Sequence, residues 1–140
     1  MAGSGRTSVD VGLLILRLGI GAIFIGHGLP KLLAGPEKWS QLGAAVGLFG
    51  ITWAPPFWGF IAACSECVGG LFLIIGFLVR PFAFLMLITM LVAVNRHLHN
   101  HDAYAIWSYA AAMAVVFLSL VVTGAGSLDI LSLLKALKEK

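Results

Sequence analysis

Four stretches of the chain are almost continuously apolar, at residues 11–33, 56–79, 81–98 and 105–123. Crossing a bilayer as a helix takes roughly 20 such residues, so each stretch is a candidate span. The boundaries are marked by residues that stop or turn a helix. Gly35-Pro36 closes the first stretch, Pro55-Pro56 opens the second, and Arg80-Pro81 makes a tight turn into the third. The polar run RHLHNHDAY separates the third from the fourth. Between the first two, Glu37 to Ile51 holds Trp39, Phe49 and the series Gly43, Gly47, Gly50. It is too short to cross at about 1.5 Å per residue and is expected to lie half-buried at the interface, with Trp39 and Trp53 as aromatic anchors. Residues 1–10 are small and polar and read as a frayed tail. The end of GAGSLDILSLLKALKEK reads as a short amphipathic helix on the cytoplasmic surface. The pattern predicts an all-α fold: one domain over residues 1–140, a bundle of four transmembrane helices with a short interfacial helix between spans 1 and 2.

The first span has a further pattern inside it. At about 100° per residue, Arg17, Gly21, Phe24, Gly28 and Lys31 share one face, while Gly12, Gly19 and Gly26 repeat on the opposite one. Rows of glycine let helices approach closely in lipid. Small residues on two sides therefore predict a central helix with neighbours on both, its charged face turned inward.

Composition agrees with burial in lipid. Of 140 residues 60% are hydrophobic and 11% charged, with a mean hydropathy of +1.01. A soluble domain of this size could not hide so much apolar surface. The net charge of +3 does not point to nucleic acid, because the basic residues bracket the spans instead of forming a cluster interleaved with aromatics. Arg6, Arg80, Lys135, Lys138 and Lys140 fall on one side of a four-span chain, and Lys31, Lys38 and Arg96 on the other. Positive residues favour the cytoplasmic side, so both termini are expected there, in a bacterial cytoplasmic (inner) membrane. The first span is too long for a signal-peptide core and lacks a cleavage site, and is expected to be retained.

Chemistry concentrates at a few polar positions within the apolar stretches. Glu66 lies about 15 Å along its helix, near the bilayer midplane, where a carboxylate is either neutral or paired. Its own face, Gly59, Ala62, Ala63, Gly69 and Gly70, is small and suited to packing on the first span. Arg17 and His27 bracket it axially, and Arg17, with the longer reach, is the expected partner. Such a pair can fix packing, or it can form a polar site for a headgroup, proton or substrate. Cys64 and Cys67 have the C-x-x-C spacing but point away from Glu66, towards Phe60, Leu71 and Ile75, and read as small buried hydrophobes. His97, His101 and Asp102 could ligate a transition metal, His27 and His97 could relay protons, and the histidine-rich loop could equally be a solvated cap. Trp107 and Tyr109 open the fourth span as belt aromatics. The chain offers no haem ligand pair, flavin fold or iron–sulfur cysteine set.

Taken together, the motifs RLGIGAIFIGHGLPKL, GITWAPP, ECVGGLFLIIGFLVR and GAGSLD resemble the DoxX family of small bacterial membrane proteins. The match covers nearly the whole chain, residue by residue pointing to Arg17, His27, Lys31, Glu66 and Arg80, and more loosely to His97. Two features depart from the family pattern: HNHDA stands where a glycine-aromatic run is usual, and Ser108 where an acidic residue is common. The resemblance implies a link to quinone and membrane-bound redox complexes. The expected function is therefore a quinone-linked redox protein, or the membrane subunit of an oxidoreductase, with electrons supplied by a partner protein. Two alternatives stand beside it: a non-catalytic anchor or assembly subunit, and a small-molecule or lipid carrier. Homo-oligomers are expected if the outward glycines need cover.

Overall fold

The computed structural model describes residues 2–130 together with 132, 134 and 138, with side chains from Thr7 onward. The expected C-terminal amphipathic helix falls largely, and Lys135 and Lys140 of the charge count fall wholly, outside the described residues, while Arg6 is described in its backbone alone. Every regular element among the described residues is helical: α1 (Ala2–Leu33), α2 (Pro36–Gly43), a 3-10 helix (Ala44–Phe49), α3 (Pro55–Ile75), α4 (Val79–His99) and α5 (Tyr104–Thr123). Four of them are long and apolar enough to cross a membrane, namely Thr7–Leu33 of α1 with α3, α4 and α5. The interfacial element comes between the first two spans, as the pattern predicts.

The helix limits differ from the expected ones for local reasons. α1 does not fray over residues 2–10 but continues as helix, and its Asp10 accepts hydrogen bonds from the backbone and hydroxyl of Ser127. α1 also runs through Pro30, a break that membrane helices tolerate when neighbours satisfy the backbone. The carbonyl that Pro30 leaves without a helical donor is that of Gly26; separately, at the helix end, Trp39 Nε1 donates to the Lys31 carbonyl at 3.0 Å. α3 stops at Ile75, short of residue 79, because Gly76 takes φ +78 and its N–H turns back to the Phe72 carbonyl at 2.9 Å. This is the left-handed glycine stop that L-residues resist. α4 starts two residues before Pro81, which sits in the first turn where no N–H partner is lost.

The central helix is α3, not α1. α3 packs against α1, α2 and α4, while α5 leans on α4. Its small residues allow these approaches. A Cβ added at Gly21 would fall 2.6 Å from the Gly70 carbonyl oxygen, and one at Gly70 the same distance from that of Gly21. On the far side of α1, a Cβ at Gly12, Gly19 or Gly26 would meet nothing within 4 Å. The second glycine row therefore has no neighbour among the described residues of this chain, contrary to the expectation of contacts on both sides. The apolar core lies between α3, α4 and α5, where Leu73, Met86, Phe117 and Leu120 are fully buried and Phe24 of α1 inserts among them.

Candidate functional site

The charged face of α1 is assembled as its spacing predicts: Arg17, Gly21, Phe24 and Gly28 are buried and Lys31 partly so. The two charges on it have different fates. Lys31 Nζ donates to both carboxylate oxygens of Glu66, at 2.6 and 2.8 Å, in a pair whose side chains are 31% and 5% exposed. Arg17, the partner expected from its reach, does not touch Glu66. It is fully buried at the opposite end of the bundle, where Nη1 lies 3.5 Å from the Leu73 carbonyl and Nη2 donates to the Leu128 carbonyl at 2.5 Å.

The reason is the lean of helical side chains towards their own N-terminus. α1 and α3 are antiparallel, so Lys31 leans back along α1 while Glu66 leans up α3 towards it, and the two converge. Arg17 leans the other way, onto the last turn of α3, and diverges from Glu66. There it meets the helix C-terminal carbonyls, which favour a cation. Arg17 thus ties α1, the end of α3 and the segment after α5 into one clamp, with Asp10 and Ser127 beside it.

Glu66 and Lys31 line a cavity of about 440 Å³ between α3, α4 and the α2 region. Its α4 wall runs from Leu85 to Asn100, about 22 Å at the helical rise. Ile61, Leu85, Ile88 and Val92 make it apolar, and its polar groups gather at two levels. Near the middle of the spans stand Glu66, Ser65 and Thr89, the two hydroxyls 2.7 Å apart. Towards the loop end stand Arg96, His97 and Asn100. Arg96 Nη1 donates to the Gln41 carbonyl at 3.0 Å, which fastens α4 to α2. His97 Nδ1 lies 2.7 Å from Asp102 Oδ2, so Nε2 is the nitrogen left for a ligand. Trp58 also lines the cavity, and its buried Nε1 has no hydrogen-bond partner.

Of the residues singled out in the sequence, Lys31, Glu66 and His97 are brought together around this cavity. His27 is not among its lining residues. It is exposed, with its ring 6.1 Å from those of Phe24 and Tyr109, between α1 and α5. Arg80 donates to the Val122 carbonyl at the end of α5, on the Arg17 side. Trp107 packs edge-on against Tyr104. Among the described residues no three His, Cys, Asp or Glu side chains gather as metal ligands would; His97 and Asp102 meet as a pair, and His101 is exposed in the following turn. Cys64 and Cys67 are free thiols on α3.

Spacing alone did not single out Trp58, Ser65, Thr89 or Arg96 as site residues. Ser65 beside Glu66, and Thr89 as the hydroxyl within FAFLMLITMLVAV, carried a usable signal, since polar groups inside a span need partners.

Four helices long and apolar enough to cross a membrane define a multi-pass helical membrane protein. The DoxX family profile matches residues 12–100, and the chain belongs to that family. A Bacillus subtilis (strain 168) protein described as "Putative oxidoreductase CatD" is 32% identical over 87 residues, 62% of this chain and 60% of that protein. The chain thus spans less than two thirds of that relative's length. No solved structure matches.

Proposed function

We propose that this protein is a quinone-linked redox protein, or the membrane subunit of such an oxidoreductase, in a bacterial cytoplasmic membrane. The observation that carries this reading is the cavity: an apolar slot at bilayer depth that also holds an ion pair and a histidine. Its volume lies in the range of small-molecule sites, which are mostly apolar with a few placed polar groups. The description of the Bacillus subtilis relative as an oxidoreductase supports the same class.

The donor set suits a quinone. A bound quinone supplies a carrier of electrons and protons. His97, with Nδ1 held by Asp102, offers Nε2 to a carbonyl oxygen. Glu66, with Lys31 on both oxygens, sets a charged pair at the wall of the slot near mid-membrane. The apolar walls exclude water from the space between. Electrons come from a partner protein, and residues 2–10 and 124–130, at one end of the bundle, face the cytoplasm.

Titration of the purified protein in nanodiscs with decyl-ubiquinone tests this. Saturable binding is expected, weakened about tenfold in Glu66→Gln, because breaking the Lys31–Glu66 pair releases Lys31 from its place at the wall of the slot. A wild-type protein that binds no quinone, while still folded, would overturn the reading in favour of an anchor subunit.

A further inference from the structure

The slot is covered on one side and open on another. Towards its loop end it is roofed by α2 and the 3-10 helix, whose Leu42, Gly43, Ala45 and Val46 line it. This roof is fastened at three places. Arg96 Nη1 donates to the Gln41 carbonyl and Trp39 Nε1 to the Lys31 carbonyl, both at 3.0 Å. Gly43 lies so close to the start of α3 that a Cβ there would collide with the Pro55 carbonyl.

The seam between α3 and α4 is different. The two helices meet where Phe72 stacks on Phe82 and where the Ser65 and Thr89 hydroxyls join. Beside that seam, Ile61 of α3 and Leu85 and Ile88 of α4 line the slot and yet are 37%, 41% and 43% exposed. Side chains that border both the slot and the surroundings mark an opening between the two. At the helical rise, these three lie about 9 to 21 Å from the loop ends of their helices, inside a hydrocarbon layer about 30 Å thick. Arg96 and His97 stand within the last turn of α4, at the loop end. Polar groups near the membrane surface, with an apolar opening below them, repeat the polarity of an amphiphile already lying in the leaflet. Such a molecule can slide in sideways without turning over or leaving the hydrocarbon.

We infer that the slot is filled from the membrane, through the gap between Ile61, Leu85 and Ile88, by a tailed, lipid-soluble quinone. Its ring lies under the α2 roof and its tail stays in the gap. This rests on the quinone reading and adds to it the class of ligand and the route by which it enters. A water-soluble ring without a tail leaves the gap empty.

The test fills the gap. Ile88→Trp puts a larger apolar side chain at an exposed position, where the fold has room for it. In nanodiscs the variant should bind decyl-ubiquinone about tenfold more weakly than wild type, because an overfilled space forces the tail off its path. Ubiquinone-0, the same ring without the tail, should bind the two proteins alike. Each comparison holds the ligand's partition into lipid constant. A second measurement uses wild type alone: decyl-ubiquinone carrying a diazirine at the start of its tail should label Ile61, Leu85 or Ile88, and excess decyl-ubiquinone should remove that label. Equal decyl-ubiquinone affinity in the two proteins, an equal loss for both ligands, or competed labelling absent from the gap would overturn the inference and leave the quinone reading intact. Wild type that binds neither quinone would overturn both.

Discussion

Two ends of one helical stripe have opposite uses. Arg17 and Lys31 share a face of α1, with Phe24 and two glycines between them, and stand about 21 Å apart along the axis. Arg17 is sealed from solvent and spends its protons on backbone carbonyls. Lys31 is part-exposed, pairs with a carboxylate and borders a cavity. The first end fastens helices together; the second borders the cavity on which the proposed function rests. Polar groups inside a membrane commonly mark function, and at the Lys31 end they stand beside a cavity of about 440 Å³. Charge within a span is therefore a starting point, and what marks the Lys31 end as a candidate site is the cavity beside its ion pair, not the state of the pairing itself.

The comparison breaks most visibly at Arg17. Arg17→Met should lower stability by about 2–4 kcal/mol, because carbonyls at the end of α3 and at Leu128 lose their donor inside the fold. Decyl-ubiquinone affinity, measured on the folded fraction, should not change. A large loss of affinity with intact stability would mean that the two ends are not separate.

At the other end, Lys31→Met should cost about 1–3 kcal/mol by leaving Glu66 without its cation, a value discounted for the part-exposed lysine. Adding Glu66→Gln should restore much of that stability without restoring ligand binding. Thermal unfolding of the single and double variants in bicelles reads this as a coupling energy. Additive losses would mean that the pair carries no mutual interaction. The smallest effect should come from the outward row: Gly19→Ala meets no atom within 4 Å, so the midpoint should shift by no more than about 0.5 kcal/mol in free energy.

Much of the fold was readable because bilayer crossing imposes length and apolar composition. The stripe Arg17, Gly21, Phe24, Gly28, Lys31 could be read from the helical period, and so could the small face around Glu66, where Gly59, Ala63, Gly69 and Gly70 are buried. The partner of Glu66 could not. Axial distance and side-chain reach favoured Arg17, whereas the lean of antiparallel side chains decides for Lys31. Depth misled for a related reason. α1 begins at Ala2 and overhangs its neighbours, so Arg17, near the middle of its own helix, is level with the last turn of α3. The cavity itself was not readable, since it depends on how α2 is fastened across Gln41 and Arg96 to α4.

Native mass spectrometry of protein released gently from its own membrane tests the central claim most directly. Wild type and Arg17→Met should both carry a quinone-mass adduct, and Glu66→Gln should not. An adduct retained by Glu66→Gln at wild-type occupancy, or lost from folded Arg17→Met, would contradict the assignment of the site to the Lys31–Glu66 end.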